Sequence, residues 1–175
     1  MIRTKPVALG FVFACVTTAA LAQMPPQAEA TFHNQQGQEV GRATLTQTAS
    51  GVLIEIELSN IPQGEHGFHI HESGICDAAD GFKSAGGHFE PAQHQHGYMA
   101  ADGPHAGDMP NQFAGSDGRL AANVLNANLT LSDGPTSVLD GDGSAIIVHA
   151  KPDDYASQPT GDAGDRIACA VIEKR

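Results

Sequence analysis

Residues 52–59 read VLIEIELS and place an apolar side chain at every second position, at Val52, Ile54, Ile56 and Leu58. This period-2 alternation predicts a half-buried β-strand. The segment 125–131, LNANLTL, repeats the alternation and predicts a second strand of the same kind. Further strands are predicted from two short apolar runs, 144–149 and 167–172, and from weaker patterns at 30–33, 39–47 and 66–71.

Turn-forming residues separate these segments. The chain of 175 residues contains 20 Gly and 10 Pro, and no stretch of it shows a helical period over three turns. Short strands with frequent turns predict one all-β domain, a Greek-key β-barrel or sandwich of about eight strands with immunoglobulin-like architecture. The segments 72–112 and 151–165 are too long and too rich in Gly and Asp for simple turns, so we expect two functional loops there.

The first 22 residues have the layout of a secretory signal peptide. Arg3 and Lys5 precede an apolar run that ends in the small-x-small sequence Ala20-Leu21-Ala22. We expect cleavage near Ala22, export to the periplasm or the extracellular space, and a mature domain of residues 23–175 without a membrane span. A retained membrane anchor is the alternative interpretation of the run, and lipidation of Cys15 stays open.

Cysteine and charge counts narrow the class of protein further. Cleavage removes Cys15 and leaves Cys76 and Cys169, an even pair in an oxidising compartment, so export predicts a disulfide. Nine Lys and Arg against twenty Asp and Glu give a formal net charge of −11. Nucleic acid is excluded as a partner, because phosphate contacts require a basic surface.

Seven of the nine histidines lie between residues 66 and 105. His69 and His71 are two positions apart, so on a strand both rings project to one side. Because imidazole is a preferred ligand of copper and zinc, the cluster predicts a metal site. For any one histidine alone, a hydrogen bond to a carbonyl is the alternative, and His33 and His94 are expected to be bystanders. A metal-sequestering poly-His tract is not favoured, because the histidines are spaced.

Seven short motifs follow one another along the chain, and together they resemble the copper/zinc superoxide dismutases. The motifs are 67–72 (GFHIHE), 84–91 (SAGGHFEP), 96–97 (HG), 105–108 (HAGD), 148–149 (VH), 153–154 (DD) and 161–169 (GDAGDRIAC). The resemblance covers nearly all of the predicted mature domain. It implies one copper ion and one zinc ion per chain.

The resemblance also implies the ligand sets. It assigns copper to His69, His71, His88 and His149, and zinc to His88, His96, His105 and Asp108. His88 would bridge the two metals as an imidazolate. Asp153 matches a carboxylate that accepts hydrogen bonds from His69 and His96. His66 matches a structural histidine, and Cys76 and Cys169 match an intrachain disulfide.

The implied function is disproportionation of superoxide to dioxygen and hydrogen peroxide. Copper would cycle between Cu(II) and Cu(I), since zinc has no redox chemistry. The implied catalytic residues are His88, which would pass a proton to the product, and Arg166, which would hold the substrate anion. A copper- or zinc-binding protein or copper chaperone without turnover is the alternative function. The oligomeric state stays open, with a homodimer as one possibility.

Two departures from the family pattern concern charge near Arg166. Residues 155–159 carry no charge, where relatives often place substrate-steering Lys and Glu. Asp162 and Asp165 flank Arg166 in sequence and are expected to weaken its field.

Overall fold

The computed structural model describes residues 25–175. The predicted signal peptide, residues 1–22, lies outside the described residues. The strands are β1 (Gln27–Asn34), β2 (Glu39–Thr48), β3 (Gly51–Leu58), β4 (Gly64–His71), β5 (Asp108–Ala114), β6 (Leu120–Asn126), β7 (Ala145–His149), β8 (Arg166–Val171) and β9 (Glu173–Lys174). The described helices are two short 3₁₀ turns, Ala78–Asp80 and Lys83–Ala85.

The strands form one antiparallel sheet that curls into a nearly closed barrel. Their order is β5-β4-β7-β8-β1-β2-β3-β6, and β9 pairs with β1. Neighbours that are distant in sequence, such as β4 with β7 and β8 with β1, give the crossed connections of a Greek key. The predicted all-β barrel class is therefore confirmed. Within residues 25–175, no helix is long and apolar enough to cross a membrane.

Strand β3 shows why the sequence forms this sheet. Val52, Ile54, Ile56 and Leu58 are all buried in the barrel core, whereas Glu55 and Glu57 are exposed. The strand pairs with β2 on one side and β6 on the other over its whole length. The alternation at 52–59 therefore predicted both the strand and the side of it that faces the core.

The prediction of a strand at 125–131 was wrong, both in the bounds of the strand and in which of its side chains face the core. The strand is β6, Leu120–Asn126, and it ends where its partner β3 begins, with Asn126 opposite Val52. Leu125 is 54% exposed, although the alternation placed it on the buried side. Leu129 and Leu131 are buried, but they lie in the turn region after the strand. A run of alternating leucines thus spans a strand end and the loop that follows it.

The first long loop is shorter than expected because strand β5 was missed. The loop runs from Glu72 to Gly107, and Asp108–Ala114 pairs with β4. Strand β5 contains Pro110 and lies at one end of the sheet order, where a proline without an amide proton is tolerated. The second long loop, 150–165, has nearly the predicted bounds.

Strand β4 is covered on both faces, and this places the site. Phe68 and Ile70 pack into the barrel core, whereas His69 and His71 point to the opposite side and are equally buried. Around β4, the outer side of the sheet is therefore covered by the two long loops. One loop joins β4 to β5, and the other joins β7 to β8. The candidate site lies between the barrel wall and these loops.

Candidate metal centre

Four histidines converge on the outer side of the barrel wall. His69 and His71 are on β4, and His149 ends the neighbouring strand β7. His88 comes from the first long loop, which is held to β4 by a bridge between His71 and His88. One ring nitrogen from each of the four lies within 4.8 Å of the others.

The nitrogens that face the centre of this cluster are buried and unpaired. His69 Nδ1 and the Nε2 atoms of His71, His88 and His149 have no hydrogen-bond partner among the described residues. Leaving four such atoms unsatisfied in the interior is costly, unless an ion binds them. Four imidazole nitrogens aimed at one point fit a copper ion.

The other nitrogens of these rings are held by the protein. His71 Nδ1 lies 3.0 Å from the Gly86 carbonyl oxygen, and His149 Nδ1 lies 3.2 Å from that of Gly164. His69 Nε2 lies 2.8 Å from Asp153 Oδ2. Such outer hydrogen bonds fix the ring orientation and so leave the inward nitrogen free for an ion.

A second cluster adjoins the first and consists of His88, His96, His105 and Asp108. Asp108 Oδ1 lies 2.8 Å from His88 Nδ1, 3.1 Å from His96 Nδ1 and 3.5 Å from His105 Nδ1. Ligand atoms around a tetrahedral zinc ion are about 3.3 Å apart, given zinc–nitrogen bonds near 2.0 Å. The second cluster therefore fits zinc in both donor type and spacing.

His88 belongs to both clusters. Its Nδ1 lies among the atoms of the second cluster, and its buried Nε2 is one of the four unpaired nitrogens of the first. A single imidazole ring therefore separates the two metal positions.

Asp153 links the clusters by a second route. Its Oδ2 accepts from His69 in the first cluster, and its Oδ1 lies 3.0 Å from His96 Nε2 in the second. Asn111 holds the Asp153 backbone in turn, with its amide oxygen 2.8 Å from the Asp153 nitrogen. The neighbouring Asp154 is exposed, and its side chain accepts from the backbone nitrogens of Ala156 and Ser157 in the same turn.

The two clusters differ in the protonation of their histidines. Burial lowers the pKa of His88 to about 4 and that of His149 to about 3, and burial also holds the pKa of His71 well below its usual value. These rings are therefore neutral near pH 7, as metal ligands must be.

His96 behaves in the opposite way. Burial alone lowers its pKa, but hydrogen bonds to Asp108 and Asp153 outweigh this effect and raise the pKa to about 9. Burial alone raises the pKa of Asp108, yet its hydrogen bonds with His105, His88 and His96 keep it well below the usual carboxyl range. Without zinc, the second cluster therefore holds a proton on His96.

Arg166 begins β8 and lies opposite His149 in the sheet. Its guanidinium donates from Nη1 to the Phe82 carbonyl oxygen at 2.6 Å and from Nη2 to the Gly86 carbonyl oxygen at 2.7 Å. The Gly86 oxygen thus serves both Arg166 and the ring of His71. Partial burial lowers the pKa of Arg166, but the group stays cationic.

Asp80 is an acidic neighbour of Arg166 that the sequence did not indicate. Asp162 and Asp165 are exposed, and no ion pair of Arg166 occurs within the described part of the chain. The carboxylate that acts on the Arg166 pKa is that of Asp80, which raises it.

The predicted disulfide between Cys76 and Cys169 is present, with their Cα atoms 5.7 Å apart. Cys76 lies in the first long loop and Cys169 is buried in β8. The bond therefore fastens the loop that carries Phe82 and Gly86 to the strand that carries Arg166.

The remaining histidines lie outside both clusters. His66 is buried and bonds to the carbonyl oxygens of Pro62 and His149, which fits the structural role expected of it. His33 and His94 are exposed, as expected of bystanders.

Two supporting residues were missed by the sequence analysis. The side-chain amide of Gln158 makes two hydrogen bonds to the His96 backbone. It accepts from the His96 nitrogen at 2.9 Å and donates to the His96 carbonyl oxygen at 2.8 Å. Asn111 holds Asp153 in the same manner. Neither residue belongs to a motif with a recognisable spacing, so only the folded geometry identifies them.

The fold and site together define a class of protein, an antiparallel β-barrel metalloprotein with two adjoining centres for transition metals. The model of the copper/zinc superoxide dismutase (SODC) family matches residues 39–172. The chain is also 50% identical to "Superoxide dismutase [Cu-Zn] 1" of Aquifex aeolicus over 142 residues, which are 80% of this chain and 83% of the relative. The chain therefore belongs to the copper/zinc superoxide dismutase family.

Solved structures agree with this assignment. A SOD-like protein from Bacillus subtilis matches with a TM-score of 0.79 and 36% identity, covering 82% of this chain and 96% of that one. The Cu/Zn superoxide dismutase from Brucella abortus matches with a TM-score of 0.69 and 27% identity, covering 84% of this chain and 99% of that one. The expected family is confirmed, and the histidine clusters fit the expected copper and zinc.

Proposed function

We propose that this chain catalyses disproportionation of superoxide, with copper at His69, His71, His88 and His149 and zinc at His88, His96, His105 and Asp108. The observation that carries the proposal is His88, whose two nitrogens belong to two adjoining buried ligand sets. Two superoxide anions and two protons give one dioxygen and one hydrogen peroxide. One superoxide is oxidised and the other is reduced.

Bound at the four-histidine cluster, copper supplies a one-electron Cu(II)/Cu(I) couple, and zinc supplies charge and structure because it has no redox chemistry. The protein residues orient the donors and exclude water. Asp153 holds His69 and His96 at once, so it sets the ring orientation in both clusters.

Arg166 and His88 act on the substrate in this proposal. Arg166 is held beside His71 and His149, and its guanidinium can attract and hold a small anion there. His88 Nε2 is buried and unpaired among the described residues, so whenever this atom is not bound to copper it can hold a proton and donate it to the peroxide product.

The alternative function, metal binding without turnover, is not favoured. Every residue of both ligand sets is present and brought together, and Arg166 lies beside them. A chaperone or metal store requires no such anion-binding arginine.

The experiment compares the rate of superoxide removal by the purified chain loaded with copper and zinc, loaded with zinc alone, and free of metal. The copper- and zinc-loaded chain should remove superoxide much faster than the other two. Equal rates for all three would overturn the enzyme proposal.

Export is the second part of the proposal. We propose that residues 1–22 are a cleaved signal peptide and that residues 23–175 function in the periplasm or the extracellular space. The Cys76–Cys169 disulfide supports an oxidising compartment. Amino-terminal sequencing of the protein from a periplasmic extract should begin near Gln23, and an uncleaved chain in the cytoplasmic fraction would contradict this. The homodimer stays a prediction that light scattering can test.

A further inference from the structure

The turn of residues 82–87 connects Arg166 with His71. Within it, the Phe82 carbonyl oxygen accepts from Arg166, and the Gly86 carbonyl oxygen accepts from both Arg166 and His71. The direction of these two carbonyl groups therefore sets where the guanidinium and the ring point. The turn is short and solvent-facing in part, so something must hold its backbone.

The backbone of this turn is strained. Phe82 has φ 63°, in the left-handed region that non-glycine residues rarely adopt. Gly86 also has a positive φ, 76°. A conformation of this kind persists only where neighbouring contacts enforce it.

Two carboxylates outside the turn supply such contacts. Asp80 accepts from the Lys83 nitrogen at 2.8 Å and from the Ser84 nitrogen at 2.9 Å. Glu72 accepts from the Gly87 nitrogen at 2.9 Å. The Lys83 nitrogen belongs to the same peptide unit as the Phe82 carbonyl group, and the Gly87 nitrogen to the same unit as the Gly86 carbonyl group. Each carboxylate therefore holds one of the two peptide units that accept from Arg166.

Glu72 also packs tightly on the turn. A Cβ atom added to Gly86 would lie 2.6 Å from Glu72 Oε1. The glycine therefore lets the carboxylate approach closely, and the carboxylate in turn limits how far the Gly86 peptide can rotate.

We propose that Asp80 and Glu72 are positioning residues, which aim Arg166 and His71 by fixing the carbonyl groups of the turn of residues 82–87. This inference rests on the proposed function for its relevance to catalysis. It assigns a role to two acidic residues that touch neither the metal-ligand clusters nor the substrate position.

Azide binding to the copper- and zinc-loaded protein tests this inference, followed through the copper(II) absorption spectrum. The informative variants are Glu72→Ala and Asp80→Ala. Removing a negative charge near an anion site strengthens anion binding by electrostatics alone. Loss of positioning weakens it, so the two effects have opposite signs.

Two matched controls separate the loss of positioning from the loss of negative charge. Glu72 uses one oxygen for Gly87, so Glu72→Gln keeps the acceptor and removes only the charge. Asp77 is an exposed acid of the same loop whose side chain accepts from Ala79 and not from the turn, so Asp77→Asn keeps this acceptor and removes only the charge.

We expect the azide dissociation constant to rise on the order of tenfold in Glu72→Ala and Asp80→Ala, and to stay within about twofold of the parent in both controls. Unchanged or tighter binding in both alanine variants would overturn the inference. So would equal losses in Glu72→Gln and Glu72→Ala. If Asp80→Ala does not fold, the comparison of Glu72→Ala with Glu72→Gln alone supports or overturns the inference. Azide binding needs no turnover, so an inactive chain overturns the proposed function without affecting this test.

Discussion

Asp108 shows at the scale of one residue how the clusters are built. Its Oδ1 faces three imidazole nitrogens, while its Oδ2 accepts from the backbone nitrogens of Gly97 and His105. Those backbone contacts fix the carboxylate before any ion binds. The side chains of the second cluster are therefore preorganised by these backbone contacts.

Arg166→Ile tests the substrate-binding role of the arginine. Isoleucine removes the cation held beside His71 and His149, so kcat/KM for superoxide should fall on the order of tenfold or more, and azide should bind more weakly. Steady-state kinetics on the metal-loaded variant give the result. Arg119→Ile, an exposed arginine in the β5–β6 turn, is the control and should behave like the parent. Parent-like kinetics in Arg166→Ile would remove this residue from the mechanism.

The proton on His96 predicts a difference in how the two metals bind. Its pKa of about 9 means that zinc must displace a proton at pH 7, so zinc affinity should rise with pH until the pH passes about 9. The pKa values of His88, about 4, and His149, about 3, leave those two rings neutral above about pH 5. The pKa of His71 is also lowered by burial, so copper displaces no proton from these three rings at pH 7.

Calorimetric titration of the metal-free chain at pH 7, in buffers of different ionisation enthalpy, measures this release. Zinc should release about one proton more than copper. The Asp153→Asn variant should reduce the release on zinc binding, because it weakens the hydrogen bond that keeps His96 protonated. Equal release for both metals in the parent chain would contradict the assigned protonation.

At the scale of elements, the disulfide joins a loop to a strand across the site. Cys76 and Cys169 are 93 positions apart, so the bond closes a long segment of the unfolded chain. Replacing both with Ala should lower the free energy of unfolding by about 2–5 kcal/mol. Urea denaturation of the metal-free chain measures the change, and the reduced parent should match the variant. Equal stability of the oxidised parent and the variant would contradict this expectation.

The sequence predicted some elements better than others for a physical reason. Strand β3 has one buried and one exposed face, so its alternation shows directly in residues 52–58. Strand β4 is buried on both faces, so alternation is lost and only its histidines mark it. Strand β5, an edge strand with Pro110, shows no simple pattern and was missed.

The histidines of the candidate site belong to motifs whose order resembles a known family, so the sequence indicated which of them would meet. Their roles as metal ligands stay a prediction. Asp80 lies outside these motifs, and Glu72 ends the motif 67–72 without a role that its residue type reveals, since the contacts of both depend on the conformation of residues 82–87. Backbone acceptors such as the Gly86 carbonyl oxygen cannot be recognised from residue type, because every residue has one.

At the scale of the whole molecule, the apolar core that stabilises the barrel and the histidines of the candidate site lie on opposite sides of the sheet. The apolar core fills the inside of the sheet, and the ligand histidines lie on the outer side under two long loops. His69, His71 and His149 are held in place by strands. Arg166 begins strand β8, whereas its acceptors Phe82 and Gly86 lie in the first long loop. The full sequence has a net charge of −11, and removal of the proposed signal peptide with Arg3 and Lys5 makes the chain more negative still. Attraction of superoxide must therefore be local, at Arg166 and the metals.

His88 is proposed to join two separate metal centres in one chain. The most direct test is metal analysis of the protein after reconstitution with copper and zinc and subsequent dialysis. We expect one copper and one zinc per chain, with both lost from a His88→Ala variant more readily than from the parent. A parent chain that retains a single metal ion, of either element, would contradict it.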